Sequence, residues 1–190
     1  MDMIRRALII TALWAGTGGA VLAHEFTVGL YLEGPGSKAR LAEIVAGFLL
    51  AADERDGHAG ETSDGHLGGV DVQILPLPRG VGEDIAGLYG NPAQSPDVVI
   101  RFGSTRPSDI DIPPTTPVFE AGTLDPGQDW QQSDFAARYA ATYGTSPTRD
   151  AAQGYNEARR LDMAIRPLDG LTPGPAFEAA ILATAGGLEW

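Results

Sequence analysis

Between residues 26 and 75 the chain reads as strand, loop, amphipathic helix and strand, and that order restricts its fold more than any other feature. Phe26-Thr27-Val28-Gly29-Leu30-Tyr31-Leu32 holds too few polar side chains for a strand with one wet face. Glu33-Gly34-Pro35-Gly36-Ser37 follows as a loop ending on a serine suited to cap a helix. Over Lys38–Arg55, Leu41, Ile44, Val45, Phe48, Leu49 and Ala52 fall on one apolar stripe at helical spacing. Val70, Val72 and Ile74 then alternate with Asp71 and Gln73, which predicts a second strand over 70–75. Two strands joined through a helix pair in parallel by a right-handed crossover. Asp53, Glu54 and Asp56 crowd the end of the helix, where negative charge opposes the dipole, and nothing local accounts for them.

The rest of the chain continues the alternation and then interrupts it. Gly57–Gly69 is a polar, glycine-rich loop, Pro76–Gly80 a shorter one, and Val81–Tyr89 a short helix. A buried strand is expected over 97–100. Pro107, Pro113, Pro114 and Pro117 then exclude a crossover helix from Phe102–Pro117. Val118-Phe119-Glu120 is short enough to be a fourth strand, followed by loop through Asp129. Helices are expected at Ser133–Tyr143, with Gly144 as C-cap and Pro147 as stop, at Ala151–Ile165, and at Ala176–Ala185. The class is therefore α/β: a single doubly wound, three-layer lobe with a short, mainly parallel sheet.

Residues 1–23 have the layout of an export signal. Arg5 and Arg6 precede the apolar run Ala7–Trp14, and Val21-Leu22-Ala23 places small residues before a cleavage site. Cleavage after Ala23 predicts a periplasmic domain over 24–190 with no membrane insertion. Arg5 and Arg6 leave with Asp2, moving the net charge from −12 to −13. Such acidity opposes binding to nucleic acid or anionic lipid. The chain has no cysteine, so neither a disulfide nor a lipidated cysteine is available.

Several segments together resemble a known family. Val28-Gly29-Leu30-Tyr31-Leu32-Glu33-Gly34-Pro35-Gly36 resembles the first strand and Gly-Pro loop of type I periplasmic binding proteins, nearest the leucine and branched-chain amino-acid receptors of ABC importers. Ala46-Gly47-Phe48 with Ala51-Ala52 is similar to the first helix of that family, and Leu67-Gly68-Gly69-Val70-Asp71-Val72 to the approach to its second strand. Phe135–Tyr139, Tyr143-Gly144 with Pro147, Ala152–Tyr155 and Ala158–Leu161 look like its closing helices. The resemblance covers about half of 24–190. Such receptors hold solute between two lobes. Here only Leu124–Gln131 separates the end of the first-lobe sheet from the returning helices, so the resemblance implies one lobe.

Carried over, the resemblance implies ligand contacts in three loops at the strand carboxyl ends: Glu33 and Gly34, Ser104 and Thr105, and Gly122 and Thr123. A hydroxyl with backbone N–H groups suits a carboxylate, and an acidic residue suits an ammonium. These positions also read as ordinary turn residues. Phe102 and Phe119 are expected to face water at the same end, forming an apolar patch for a second copy or for another periplasmic protein as a dedicated partner. His24, His58 and His66 are the only imidazoles available to a metal, with Glu61 and Asp64 in the same loop as the last two, but their spacing matches no compact site. No catalytic motif is present and no cofactor is implied, so a non-enzyme is expected. Two functions compete: an amino-acid-binding component of an ABC transport system, working with a permease, and a periplasmic interaction module derived from one. An internally deleted remnant is the third alternative.

Overall fold

The computed structural model describes residues 25–55, 62–80, 85, 87–88, 94–105, 112–124, 127, 129–168 and 171–190. Five strands, β1 (Glu25–Tyr31), β2 (His66–Leu67), β3 (Val70–Leu77), β4 (Val98–Arg101) and β5 (Val118–Glu120), form one curled sheet. Its order is β2-β3-β1-β4-β5. β3, β1, β4 and β5 are parallel, and only the two-residue β2 runs antiparallel, beside β3. Among the described residues four α-helices accompany the sheet: α1 (Ser37–Asp53), α2 (Asp134–Tyr143), α3 (Arg149–Ile165) and α4 (Pro175–Ala183). The expected α/β lobe with a mainly parallel sheet is present.

Alternation along the strands decides which side chains meet which layer. Phe26, Val28 and Leu30 of β1 lie in register with Val72 and Ile74 of β3 and with Val98 and Ile100 of β4. These residues join α1 through Leu41, Ile44, Val45 and Phe48, α2 through Phe135 and Tyr139, α3 through Tyr155, Leu161 and Ile165, and α4 through Phe177 and Ile181, in one core. Tyr31, Leu75, Leu77, Val99 and Ile112 form a smaller cluster. On that side Gly29 is required, because a Cβ there would lie 2.8 Å from Leu77 Cδ1 and 2.9 Å from Val99 Cγ2.

Three local expectations need correction. Ser37 does not cap α1. Gly36 holds that place in a left-handed conformation, and no side chain accepts from the first turn. The helix expected over 81–89 lies mostly outside the described residues, and Ile85, Gly87 and Leu88 are not helical. Phe102 does not face water: it is 6% exposed, within the main core. Phe119 is half-buried, edge-on to Phe177 at a ring separation of 5.8 Å.

Two features were not foreseen. Gly68 and Gly69, both at positive φ, turn His66-Leu67 back on Val70-Asp71 as a tight hairpin. Of the acidic residues at the end of α1, Glu54 has a tertiary explanation: it accepts from Arg138 Nε at 2.6 Å and from the Tyr155 hydroxyl at 2.8 Å. Arg138 also donates to the Tyr155 oxygen at 2.8 Å, closing a triangle between α1, α2 and α3.

Candidate functional site

The strand order reverses between the neighbouring strands β1 and β4. β1 leads through α1 to β3, whereas the chain returns past β1 to form β4 and β5. Open parallel sheets bind ligands at the carboxyl ends of their strands, beside such a reversal. A cleft of about 440 Å³ lies at this end. Its floor is the end of β4 and β5 with the loops that follow, Arg101–Ser104 and Glu120–Gly122. Its wall is the first turn of α1, through Arg40, and the first two turns of α3, through Arg149, Asp150 and Gln153.

Charge pairs set the geometry. Asp150 grips Arg40 with both oxygens, accepting from Nε and one Nη at 2.9 Å each, and so ties α3 to α1 across the cleft. This hydrogen bonding raises the Arg40 pKa, against a smaller opposing effect of burial. Arg101 donates to Glu120 on the adjacent strand and, at 2.9 Å, to the Ser104 carbonyl, which shapes the loop after β4. The Glu120 side chain is 76% exposed and the Arg101 side chain 17%, so the carboxylate stands at the rim and the guanidinium at the floor.

Behind the cleft lies a buried polar network. Glu157 accepts from the Gly122 N–H at 2.8 Å and from Arg160 at 2.5 Å. Arg160, itself 1% exposed, also donates to the Ile181 carbonyl at 2.6 Å and the Thr184 hydroxyl at 3.1 Å. Gln153 donates to the Gly122 carbonyl, so both backbone groups of Gly122 are held by α3. Burial raises the Glu157 pKa, and Arg160 only partly opposes it. The network fixes the point where the chain leaves β5.

Of the six ligand positions expected from the sequence, Ser104 and Gly122 line the cleft. The others do not. Thr105 is exposed beyond the rim. Thr123 turns to the C-terminal segment, donating its N–H to the Ala185 carbonyl at 2.9 Å. Glu33 is exposed and accepts from the Tyr31 hydroxyl at 2.7 Å, and Gly34 has open space around it. The first loop therefore stands apart from the other two. Sequence reasoning missed Arg40, Arg149, Asp150 and Gln153. A signal existed in α3, where Asp150, Gln153, Glu157 and Arg160 make a polar row on a helix that is mostly buried.

His24 and His58 lie outside the described residues. His66 Nε2 meets Asp71 at 2.6 Å within the β2–β3 hairpin. Among the described residues no three metal-ligating side chains cluster, and no helix is long and apolar enough to cross a membrane. No protein-family model, curated protein or solved structure matches the chain.

Proposed function

We propose that this chain is a periplasmic solute-binding lobe of the type I receptor kind, serving an ABC transport system for amino acids or a similar small solute. The observation that carries the proposal is the polar cleft at the strand carboxyl ends, where Ser104 and Gly122 meet charges of both signs. A zwitterion needs such a site: donors for its carboxylate and a carboxylate for its ammonium. The cleft has one wall, whereas small-molecule pockets commonly bury about 70–90% of their ligand. A second copy of this chain supplies the opposing wall.

A second reading is an interaction module derived from such a receptor. It is favoured by the internal pairing of Arg40 with Asp150 and of Arg101 with Glu120, which leaves these groups satisfied without solute. A thermal-shift panel of amino acids, run with light scattering, separates the two. Stabilisation by one solute class, accompanied by dimer formation, supports the receptor. A monomer that no amino acid stabilises refutes it. Intact mass of protein recovered from the periplasm tests export, with His24 expected as the first residue.

A further inference from the structure

The chain carries a net charge of −12, yet its cleft is rich in arginine. Arg40, Arg101 and Arg149 reach it from α1, β4 and α3, while among the described residues Glu120 and Asp150 are the only carboxylates lining it. Asp150 engages Arg40 and Glu120 engages Arg101. Arg149, exposed at the first position of α3, has no carboxylate partner among the described residues. Among the described lining residues one positive charge is therefore in excess. The amino-terminal turns of α1 and α3 both border the cleft, and their dipoles add to that excess.

A neutral amino acid leaves this charge unmatched. An amino acid with a second carboxylate in its side chain carries one net negative charge and matches it. Resting on the solute-binding reading of the same cleft, we propose that the solute is a dicarboxylic amino acid. One carboxylate meets Arg149, the other meets the Arg101 floor beside the Ser104 hydroxyl, and the ammonium meets Glu120 at the rim. Arginine suits this task because its planar donor fork matches a carboxylate in two hydrogen bonds.

The test is calorimetric titration of the mature protein, residues 24–190, with L-glutamate, L-aspartate, L-glutamine and L-leucine, with sodium sulfate as an anion control. An acidic amino acid is expected to bind at least about tenfold more tightly than its neutral counterpart, the size of one charge-assisted contact. In Arg149→Ala this preference should disappear while the melting temperature of the free protein stays unchanged. Arg149→Lys should retain part of it. Tighter binding of neutral amino acids overturns the acidic class but leaves the solute-binding reading standing. Binding of no amino acid overturns both. An acidic preference that survives Arg149→Ala, or equal binding of sulfate, overturns the assignment of the cleft.

Discussion

Gly47 of α1 and Gly154 of α3 lie at the crossing of the two helices, each against the backbone of the other. A Cβ on Gly47 would lie 1.9 Å from the Ala151 carbonyl oxygen, and a Cβ on Gly154 would lie 1.9 Å from the Ile44 carbonyl oxygen. The two helices can approach this closely only because neither residue has a side chain. The contact also sets the spacing between Arg40 and Asp150 at the mouth of the cleft.

Gly47→Ala and Gly154→Ala should therefore each destabilise the protein by at least about 2 kcal/mol, as overpacking against rigid backbone does. The loss should appear although alanine favours a helix over glycine by about 1 kcal/mol. Gly186→Ala is the control, because a Cβ there meets nothing within 4 Å. Urea denaturation of the three variants measures the difference, and an unchanged midpoint for Gly47→Ala would contradict the close crossing.

Removing one member of the buried pair Glu157–Arg160 leaves the other charge without compensation. Arg160→Met should cost about 3–5 kcal/mol, because it leaves the Glu157 carboxylate buried with no cation beside it. Adding Glu157→Gln to it should restore part of the loss, since glutamine can still accept from the Gly122 N–H. A double variant no more stable than Arg160→Met would show that Arg160 contributes chiefly through its bonds to Ile181 and Thr184.

Glu157 also predicts a pH dependence. Burial raises its pKa above the ordinary 4.5. Its contribution to stability is thus fully present below about pH 4.5 and declines as pH rises through the raised folded value. The stability curve of Glu157→Gln should lack that decline over the same window. Thermal melts of both proteins from acid to neutral pH check it.

Tyr139, Tyr143 and Tyr155 all have pKa values raised above 10.0, chiefly by burial. The unfolded chain ionises them first, so stability should hold up to about pH 10 and fall above it. Tyr155→Phe should reduce that alkaline loss. It should also cost about 1 kcal/mol at neutral pH, where the hydroxyl bridges Glu54 and Arg138. Ultraviolet titration alongside circular dichroism follows ionisation and unfolding together.

Phe102→Asp should unfold the protein rather than dissociate an oligomer. Phe102 is within the core, and an unpaired carboxylate there costs several kcal/mol, on the order of 3 or more. Circular dichroism of the purified variant should show loss of cooperative melting. A well-folded variant would mean that the β4 end is more open than its burial indicates.

Apolar periodicity made most of the elements legible in advance. The stripe from Leu41 to Ala52, the alternation from Val70 to Ile74 and the short run Val98–Ile100 each carry their own period and burial. Gly144 and Pro147 mark the end of α2 through backbone restrictions that act within a few residues. Such signals are local, so a single sequence displays them. The site is different in kind. Arg40 and Asp150 stand 110 residues apart, as do Gly47 and Gly154 at nearly the same remove, and no spacing rule connects them. Ser104 and Gly122 converge because β4 and β5 are neighbours in the sheet, while Glu33 and Thr123 are drawn elsewhere by Tyr31 and Ala185. Phe102 looked exposed at a strand end, yet the curled sheet and the helices packed on it enclose its ring. Which polar groups meet in the cleft depends on the crossing of α1 and α3, a relation between distant segments that exists only once the chain has folded.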